Sequence, residues 1–376
     1  MKFITGLNET VYLDNAATTF PKPASVIHAV NKCISCYCGN PGRSGHRLSL
    51  SSAEKIYECR EQICRLFNYP YPERISFTQN ATIALNTAIK GLIKEPCHVI
   101  ISDLEHNSVI RPLYKRSSET GGEYSIFSTE GDIAENIKKE IRSNTRFIIS
   151  TLQSNVTGDL IDAKILSDIA KQYNLGLIID ASQYVGHFNL DLSGLYFDAI
   201  CMPGHKALFG IAGSGVLILG NKRFDTLFEG GSGSESYNRL MPKEPPERYE
   251  AGTVSTPAIV SLLYGVEFIQ NYGIFEIEKK IHGLTDRVRD VLSSLPFITL
   301  YGSKSGIASF LYNGYPSEYI SDKLNCYGIC TRGGIHCAPM IHKRLGTENC
   351  GLVRVSFSAL NNFADIDRLY QALKAI

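Results

Sequence analysis

A lysine directly after an apolar run is the first residue whose placement asks for a reason. Cys201-Met-Pro-Gly-His-Lys206 leaves such a run and enters a glycine-rich turn ending at Gly210. A charge there is costly unless used, and lysine both shifts its pKa readily on burial and forms Schiff bases, so Lys206 is a candidate covalent anchor. A lysine snorkelling out from a strand end explains the same window. The run Leu177-Ile-Ile-Asp180 ends in a carboxylate, and ligands of parallel α/β sheets sit at the carboxyl ends of strands. A carboxylate there can keep a heterocyclic nitrogen protonated and turn a pyridine ring into an electron sink; a helix N-cap is the simpler alternative. Thr78-Gln-Asn-Ala-Thr82 opens a helix after a strand, where N–H groups and a hydroxyl can cradle a phosphate or Asn80 can serve only as a cap.

These residues need strands and helices to position them, and the hydrophobic periodicity supplies both. Short apolar runs at 75–78, 98–102, 146–150, 176–180, 197–202 and 215–219 read as strands buried on both faces of a largely parallel sheet. Apolar spacing of i, i+3, i+4 predicts helices at 80–92, 133–142 and 163–173. A Gly/Ser/Pro-rich stretch at 230–248 reads as a long loop or an outward-reaching hairpin, functional or interfacial. Two helical patterns at 257–272 and 274–293 follow, then a smaller α/β set from 298 to 376 that forms a plausible second domain. The fold class is therefore α/β.

Composition narrows the function. With 376 residues the chain exceeds what one hydrophobic core usually supports. Its 38 basic and 37 acidic residues give a net charge of +1, too little for a nucleic-acid backbone or an anionic membrane. The apolar stretch 207–220, broken by Ser214 and four glycines, is too short to cross a bilayer. The N-terminal residues lack the apolar core of an export signal, so the cytoplasm is the expected location. Eleven cysteines, odd in number and scattered, point to free thiols in a reducing compartment.

A strand-end Asp180, then Lys206 after another strand, with a helix N-terminus upstream, resembles the pyridoxal-phosphate enzymes of fold type I. Within that class, seven ordered motifs are similar to those of the class V aminotransferase-like family, specifically the cysteine desulfurases. They are Tyr12-Leu-Asp-Asn-Ala-Ala-Thr18, Glu105-His-Asn107, Ser154-Asn-Val-Thr-Gly158, Asp180-Ala-Ser-Gln183, Gly204-His-Lys206, Glu250-Ala-Gly-Thr253 and Arg332-Gly-Gly-Ile-His-Cys-Ala338. The resemblance implies a mainly parallel central sheet flanked by helices plus a smaller α/β C-terminal domain. Residues 1–20 would join the small domain, 21–256 form the large cofactor domain, and 257–376 form linking helices and the small domain. It further implies Lys206 as the Schiff-base lysine, Asp180 as the partner of the pyridinium nitrogen and His106 as the ring stacked on the cofactor. Gln183 and Asn155 would contact the cofactor's phenolic oxygen or the substrate. Ala81, Thr82 and His205 would hold the phosphate, joined by Thr253 from the other subunit of a homodimer. Arg354 would clamp the substrate carboxylate with Arg332 assisting, since a guanidinium fork is bidentate and always charged.

Cys337 matches the sulfur-accepting cysteine, and its short His-Cys-Ala-Pro loop looks like the type II, Suf-like and selenocysteine-lyase-like branch. One cysteine among eleven is otherwise a packed thiol, but Gly333 and Gly334 permit a mobile backbone, and His336 with Arg332 could favour the thiolate. The implied reaction converts L-cysteine to L-alanine and leaves a persulfide on Cys337, for sulfur mobilisation such as iron–sulfur cluster assembly through a persulfide-acceptor protein. Alternatives are a selenocysteine lyase acting on L-selenocysteine, or a class V aminotransferase in which Cys337 is a bystander. Two residues depart from the family pattern: Pro203 stands where a serine hydroxyl for the phosphate is usual, and Ile335 replaces a polar residue two before Cys337.

Cys33-Ile-Ser-Cys36-Tyr-Cys38 has a metal-ligand spacing, yet no fourth ligand is evident and no metal is expected. Val26, Val30, Cys33 and Ile34 share a helical stripe, which predicts ordinary packing. The following Asn40-Pro-Gly-Arg-Ser-Gly-His46 resembles a family loop that reaches the neighbouring subunit's active site; an exposed polar turn is the alternative.

Overall fold

The computed structural model describes residues 10–42, 44–220 and 222–376. The first nine residues of the expected N-terminal segment, and Arg43 of the 40–46 loop, lie outside the described residues. In chain order, β1 (Val11–Tyr12) precedes α1 (Ala24–Lys32), which winds into a π-helical turn at Cys33–Tyr37, and then the long α2 (Arg47–Leu66). There follow β2 (Ile75–Thr78), α3 (Ala81–Leu92), β3 (His98–Ser102), α4 (Asn107–Thr120), β4 (Glu123–Phe127), α5 (Ile133–Glu140) and β5 (Thr145–Thr151). α6 (Ala163–Gln172), β6 (Gly176–Asp180), β7 (Ala199–Pro203) and β8 (Gly215–Leu219) complete a seven-stranded sheet of order β2-β8-β7-β6-β5-β3-β4.

All pairs from β4 to β7 are parallel, and β8 alone runs antiparallel to both of its neighbours. The apolar runs are buried on both faces as their composition requires: β3, β6, β7 and β8 are buried throughout. The expected strands and helices are present, with ends moved by one to two residues. β4 was not expected from the sequence. It is an edge strand whose Glu123 and Ile126 face solvent, so it lacks the continuous apolar run that marks its buried neighbours.

The described residues between β8 and α7 (Thr256–Tyr272) form no helix or strand, and Tyr237 and Leu240 project from this stretch into solvent. It is a loop, not a hairpin. α7 meets α8 (Ile274–Ser293) at an 82° bend, and among the described residues no single helix is long and apolar enough to cross a membrane. β9 (Ile298–Lys304), β10 (Ile307–Tyr312), α9 (Ser317–Cys326), β11 (Ile329–Cys330), α10 (Pro339–Leu345), β12 (Val353–Ser356) and α11 (Phe363–Ala375) follow. β12, β10 and β9 form a separate antiparallel sheet. β1 pairs in parallel with β11, and Asp14 bridges to Ser356, so the start of the described chain is woven into its last third.

On α1 the packed stripe is Val26, Ala29 and Cys33, while Ile34, expected on that stripe, is exposed. The π-turn adds a residue to the helical period and rotates Ile34 outward.

Where the two sheets meet, the loop after β5 presses on β9 and β10. Gln153 Nε2 donates to Ser305 O at 2.6 Å and Ser309 Oγ to Val156 O at 2.5 Å. Gly158 sits here with φ +76°, and a Cβ on it would lie 1.7 Å from Lys304 O. Gly158→Ala is therefore expected to destabilise the protein by more than about 1 kcal/mol, because both the backbone angle and the space exclude a side chain. A thermal melt with an unchanged midpoint would contradict this.

Candidate active site

A cavity of about 190 Å³ opens at the carboxyl ends of the parallel strands. Its walls bring together eight of the residues singled out from the sequence: Ala81, Thr82, His106, Asn155, Asp180, Gln183, His205 and Lys206. Asp180 ends β6 and pairs in register with Cys201 of β7, so the turn after β7 delivers Lys206 beside it. Drawn out of water by the cavity walls, the Lys206 ammonium titrates down at about 8, although Asp180 pulls it upward. Arg354 and Arg332 add to the downward pressure. Lys206 is thus a recessed amine and not one snorkelling to bulk solvent.

Asp180 is buried, and its Oδ1 accepts the Ser182 N–H at 2.9 Å and the Ser182 hydroxyl. It therefore caps a turn, with no helix following, and also lines the cavity. Asn80 likewise caps α3, accepting the Ile83 N–H at 3.0 Å, while its neighbours Ala81 and Thr82 face the cavity.

His106 caps α4: its Nδ1 accepts the Ser108 N–H at 3.0 Å. Burial, then the nearby Lys206, push its pKa down to about 4, so the ring is neutral in neutral solution. The next N–H, that of Asn107, donates to the Cys337 carbonyl at 2.8 Å. Asn155 Nδ2 donates to the His336 carbonyl at 2.8 Å, and Gln183 Nε2 to Ala16 O at 3.0 Å.

The loop carrying Cys337 is thus bolted to the cavity rim. Gly333 and Gly334 do not make it mobile as expected: a Cβ on Gly333 would lie 2.7 Å from the Glu318 backbone, and Gly334 exchanges hydrogen bonds with Leu352. These glycines permit close approach. The expectation for His336 also fails. Its ring is buried with Nε2 3.1 Å from Arg332 O, and burial drives its pKa well below the usual value, so it carries no charge to favour a thiolate. The Cys337 thiol itself is exposed.

Arg354 and Arg332 do not line the cavity. Their backbones pair with each other, through Arg354 N–H to Arg332 O at 2.8 Å. Arg354 is fully buried, donating to Asp14 Oδ1 at 2.7 Å and to Asn155 O at 3.0 Å. Three cations, Lys206, Arg332 and Arg354, share this region with two carboxylates, Asp14 and Asp180. A bound carboxylate would balance them. Thr253 is exposed and lines a different cavity with Thr78, Gln79 and Glu250.

Several residues escaped sequence reasoning. Asp14 is the half-buried partner of Arg354. Thr18, Thr19 and Lys22 converge on the carbonyls of His205 and Lys206, with Thr19 Oγ1 2.8 Å from Lys206 O and Lys22 Nζ 2.8 Å from His205 O. Thr18 Oγ1 also lies 3.1 Å from His205 Nδ1. Glu105 is buried under the cavity wall, held by the Ser102 hydroxyl and by Thr151 N–H at 2.8 Å. Burial raises its pKa to about 8, so it retains a proton in neutral solution. Asp14 and Glu105 sit inside motifs recognisable in the sequence, which was the available signal; for Lys22 there was none.

All eleven cysteines are free, and among the described residues no group of three or more His, Cys, Asp or Glu side chains is placed to hold a metal ion.

The Aminotransferase class-V family profile matches residues 11–369. The chain belongs to the class V aminotransferase family. A probable cysteine desulfurase of Pyrococcus abyssi is 31% identical over 388 residues, covering 98% of this chain and 94% of that protein. A cysteine desulfurase of Synechococcus elongatus is 30% identical over 97% of this chain, which spans 60% of that protein's length. Among solved structures, the apo cysteine desulfurase of Thermococcus onnurineus NA1 is similar with a TM-score of 0.90 and 27% identity, covering 98% of this chain and 96% of that one.

The family is one of pyridoxal-phosphate enzymes, and the donor set fits that cofactor. The cavity offers a recessed amine for an aldehyde, a buried carboxylate for a ring nitrogen, a neutral imidazole for a ring face and hydroxyls at the tips of two helices for a phosphate. The Lys206 amine is expected to react with added pyridoxal phosphate faster as pH rises through about 8, where it loses its proton. Stopped-flow absorbance measures the rate, and borohydride reduction with peptide mapping should place the added mass on residue 206. A pH-independent rate, or label on another lysine, would contradict the assignment.

Proposed function

We propose that the protein is a cysteine desulfurase that converts L-cysteine to L-alanine and takes the sulfur onto Cys337 as a persulfide. The observation that carries this reading is the docking of the Cys337 loop on the cavity rim: the Cys337 carbonyl is held by the N–H adjacent to His106, and the His336 carbonyl by Asn155. The tie holds residue 337 beside the cavity that contains Lys206. The names of the relatives and structural neighbours agree with it.

Arg354, with Arg332 beside it, binds the substrate carboxylate. Its guanidinium is already oriented by Asp14 and by Asn155 O, so the side-chain entropy of fixing it is spent during folding. Lys206 would anchor the cofactor, Asp180 would face its ring nitrogen, His106 would pack on the ring, Gln183 would meet the phenolic oxygen, and Ala81, Thr82 and His205 would hold the phosphate. When bound, the cofactor supplies an electron sink. Lys206, whose amine is neutral above about pH 8 and partly so below it, takes the proton from the substrate Cα. The Cys337 thiolate attacks the substrate sulfur; an S–S bond forms as the Cβ–S bond breaks, and a proton returns to carbon to give alanine. Cysteine plus one thiol becomes alanine plus one persulfide, so no external oxidant or reductant is required.

A homodimer completes the reading. Thr253 is exposed on its own chain, and the surrounding loop presents Phe228, Tyr237 and Leu240 to solvent, as a surface covered by a second copy would. The free thiols suit a reducing cytoplasm, and the exposed Cys337 can hand sulfur to an acceptor protein.

Cys337→Ala is expected to abolish persulfide formation and sulfide release from L-cysteine while substrate still perturbs the cofactor's absorbance. Mass spectrometry of the Cys337 peptide after incubation with L-cysteine should show one added sulfur; its absence alongside wild-type alanine production would sink the reading. Arg354→Lys keeps the charge but loses the fork and should cost about 1.5–3 kcal/mol in kcat/KM, with cofactor content unchanged. An unaltered kcat/KM would remove Arg354 from the substrate site.

A further inference from the structure

Pro203 leaves the phosphate end of the cavity one hydroxyl short of the family pattern, and the structure shows which hydroxyl can make up the deficit. Four hydroxyl-bearing side chains line the cavity: Thr82, Ser108, Thr151 and Ser182. Two of them are committed. Thr151 Oγ1 donates toward Gln153 O at 3.1 Å and Asp180 O at 3.2 Å, and the Ser182 hydroxyl donates to Asp180. Ser214, which packs behind the turn at Gly204, donates to Ile211 O at 2.6 Å and is committed as well. The remaining two face each other. Thr82 Oγ1 and Ser108 Oγ lie 2.8 Å apart, one in the first turn of α3 and the other in the first turn of α4. The second contact of Ser108 Oγ is His106 Nδ1 at 2.9 Å, but that nitrogen already accepts the Ser108 N–H.

We propose that Ser108 is a phosphate-binding residue of this site, its hydroxyl joining that of Thr82 in place of the one that Pro203 lacks. The proposal rests on the pyridoxal-phosphate reading and adds a residue to it. A hydroxyl has one proton to give. With a phosphate dianion against the two helix tips, the Ser108 proton turns from a neutral imidazole nitrogen, which keeps its backbone donor, toward a charged oxygen. That exchange is favourable because a hydrogen bond to an ionised acceptor is roughly twice as strong as a neutral one. Ala81 and Thr82, which carry the first N–H groups of α3, line the same cavity, and a helix N-terminus is the usual site for an anion once side-chain hydroxyls frame it.

The test compares pyridoxal 5'-phosphate with pyridoxal, which lacks the phosphate, in equilibrium titrations of the full-length protein followed by absorbance. Ser108→Ala is expected to raise the Kd for pyridoxal 5'-phosphate roughly tenfold or more, the cost of one charge-assisted hydrogen bond. The Kd for pyridoxal should stay within about twofold, since no charged acceptor is then present. Adding Pro203→Ser to the Ser108→Ala variant should recover most of the loss. Unchanged affinity for pyridoxal 5'-phosphate in Ser108→Ala would overturn the proposal. So would an equal loss for both ligands, which would mean that Ser108 acts only through the His106 ring. If the wild-type protein takes up neither ligand, the cofactor reading itself falls and this assignment with it, an outcome distinct from a failure confined to the variant.

Discussion

Charge imbalance at the end of the parallel sheet is the constraint on which the remaining structure depends. Lys206, Arg332 and Arg354 are gathered around two carboxylates, Asp180 and Asp14, in a region withdrawn from water. Unpaired buried charge is expensive, so each member must be held where its partners can reach it. The parallel register of β6 and β7 sets Asp180 beside the turn that carries Lys206. The antiparallel β8 then pairs with β7 from Pro203 and Gly215 onward, which closes the segment carrying Lys206 at both ends. The smaller sheet brings Arg354 on β12 against the loop after β5.

The N-terminal segment ties these parts together. Asp14 neutralises Arg354 from one side, while Thr18, Thr19 and Lys22 seize the carbonyls on either side of the lysine turn. A stretch of fewer than ten residues thereby fixes the positions of two cations, Lys206 and Arg354, that lie far apart in the chain. Its own anchorage is the parallel pairing of β1 with β11 and a hydrogen bond from Asn15 Nδ2 to Ser356 O at 3.0 Å.

Much of this was legible in the sequence because buried parallel strands carry continuous apolar runs and because the chemistry-bearing residues lie at their ends. β4 was not legible, since an edge strand facing solvent mixes polar residues such as Glu123 and Ser125 with apolar ones and lacks a continuous apolar run. The eight cavity residues were found through local motifs, each short enough to be read along the chain. The Asp14–Arg354 pair spans 340 positions, and no local pattern announces a partnership of that kind. The His336 ring misled for a related reason: its burial comes from residues distant in sequence, which no local pattern shows. Ser108 lies two residues past a motif histidine, and its nearness to Thr82 exists only once α3 and α4 pack side by side.

One feature of the cysteine loop reaches beyond its own geometry. His336 and Cys337 both adopt left-handed backbone angles, with φ of +54° and +57°, and the loop is held through main-chain carbonyls. The scaffold therefore grips the peptide backbone at this position and leaves the side chain unclasped. Architecture and reagent are separable here: what the loop presents to the cavity's mouth is a mounting point, onto which a thiol, a selenol or an inert group can be fitted without redrawing the walls. Such a modular tip allows the side chain at position 337 to be exchanged while the hydrogen bonds that seat the loop are kept.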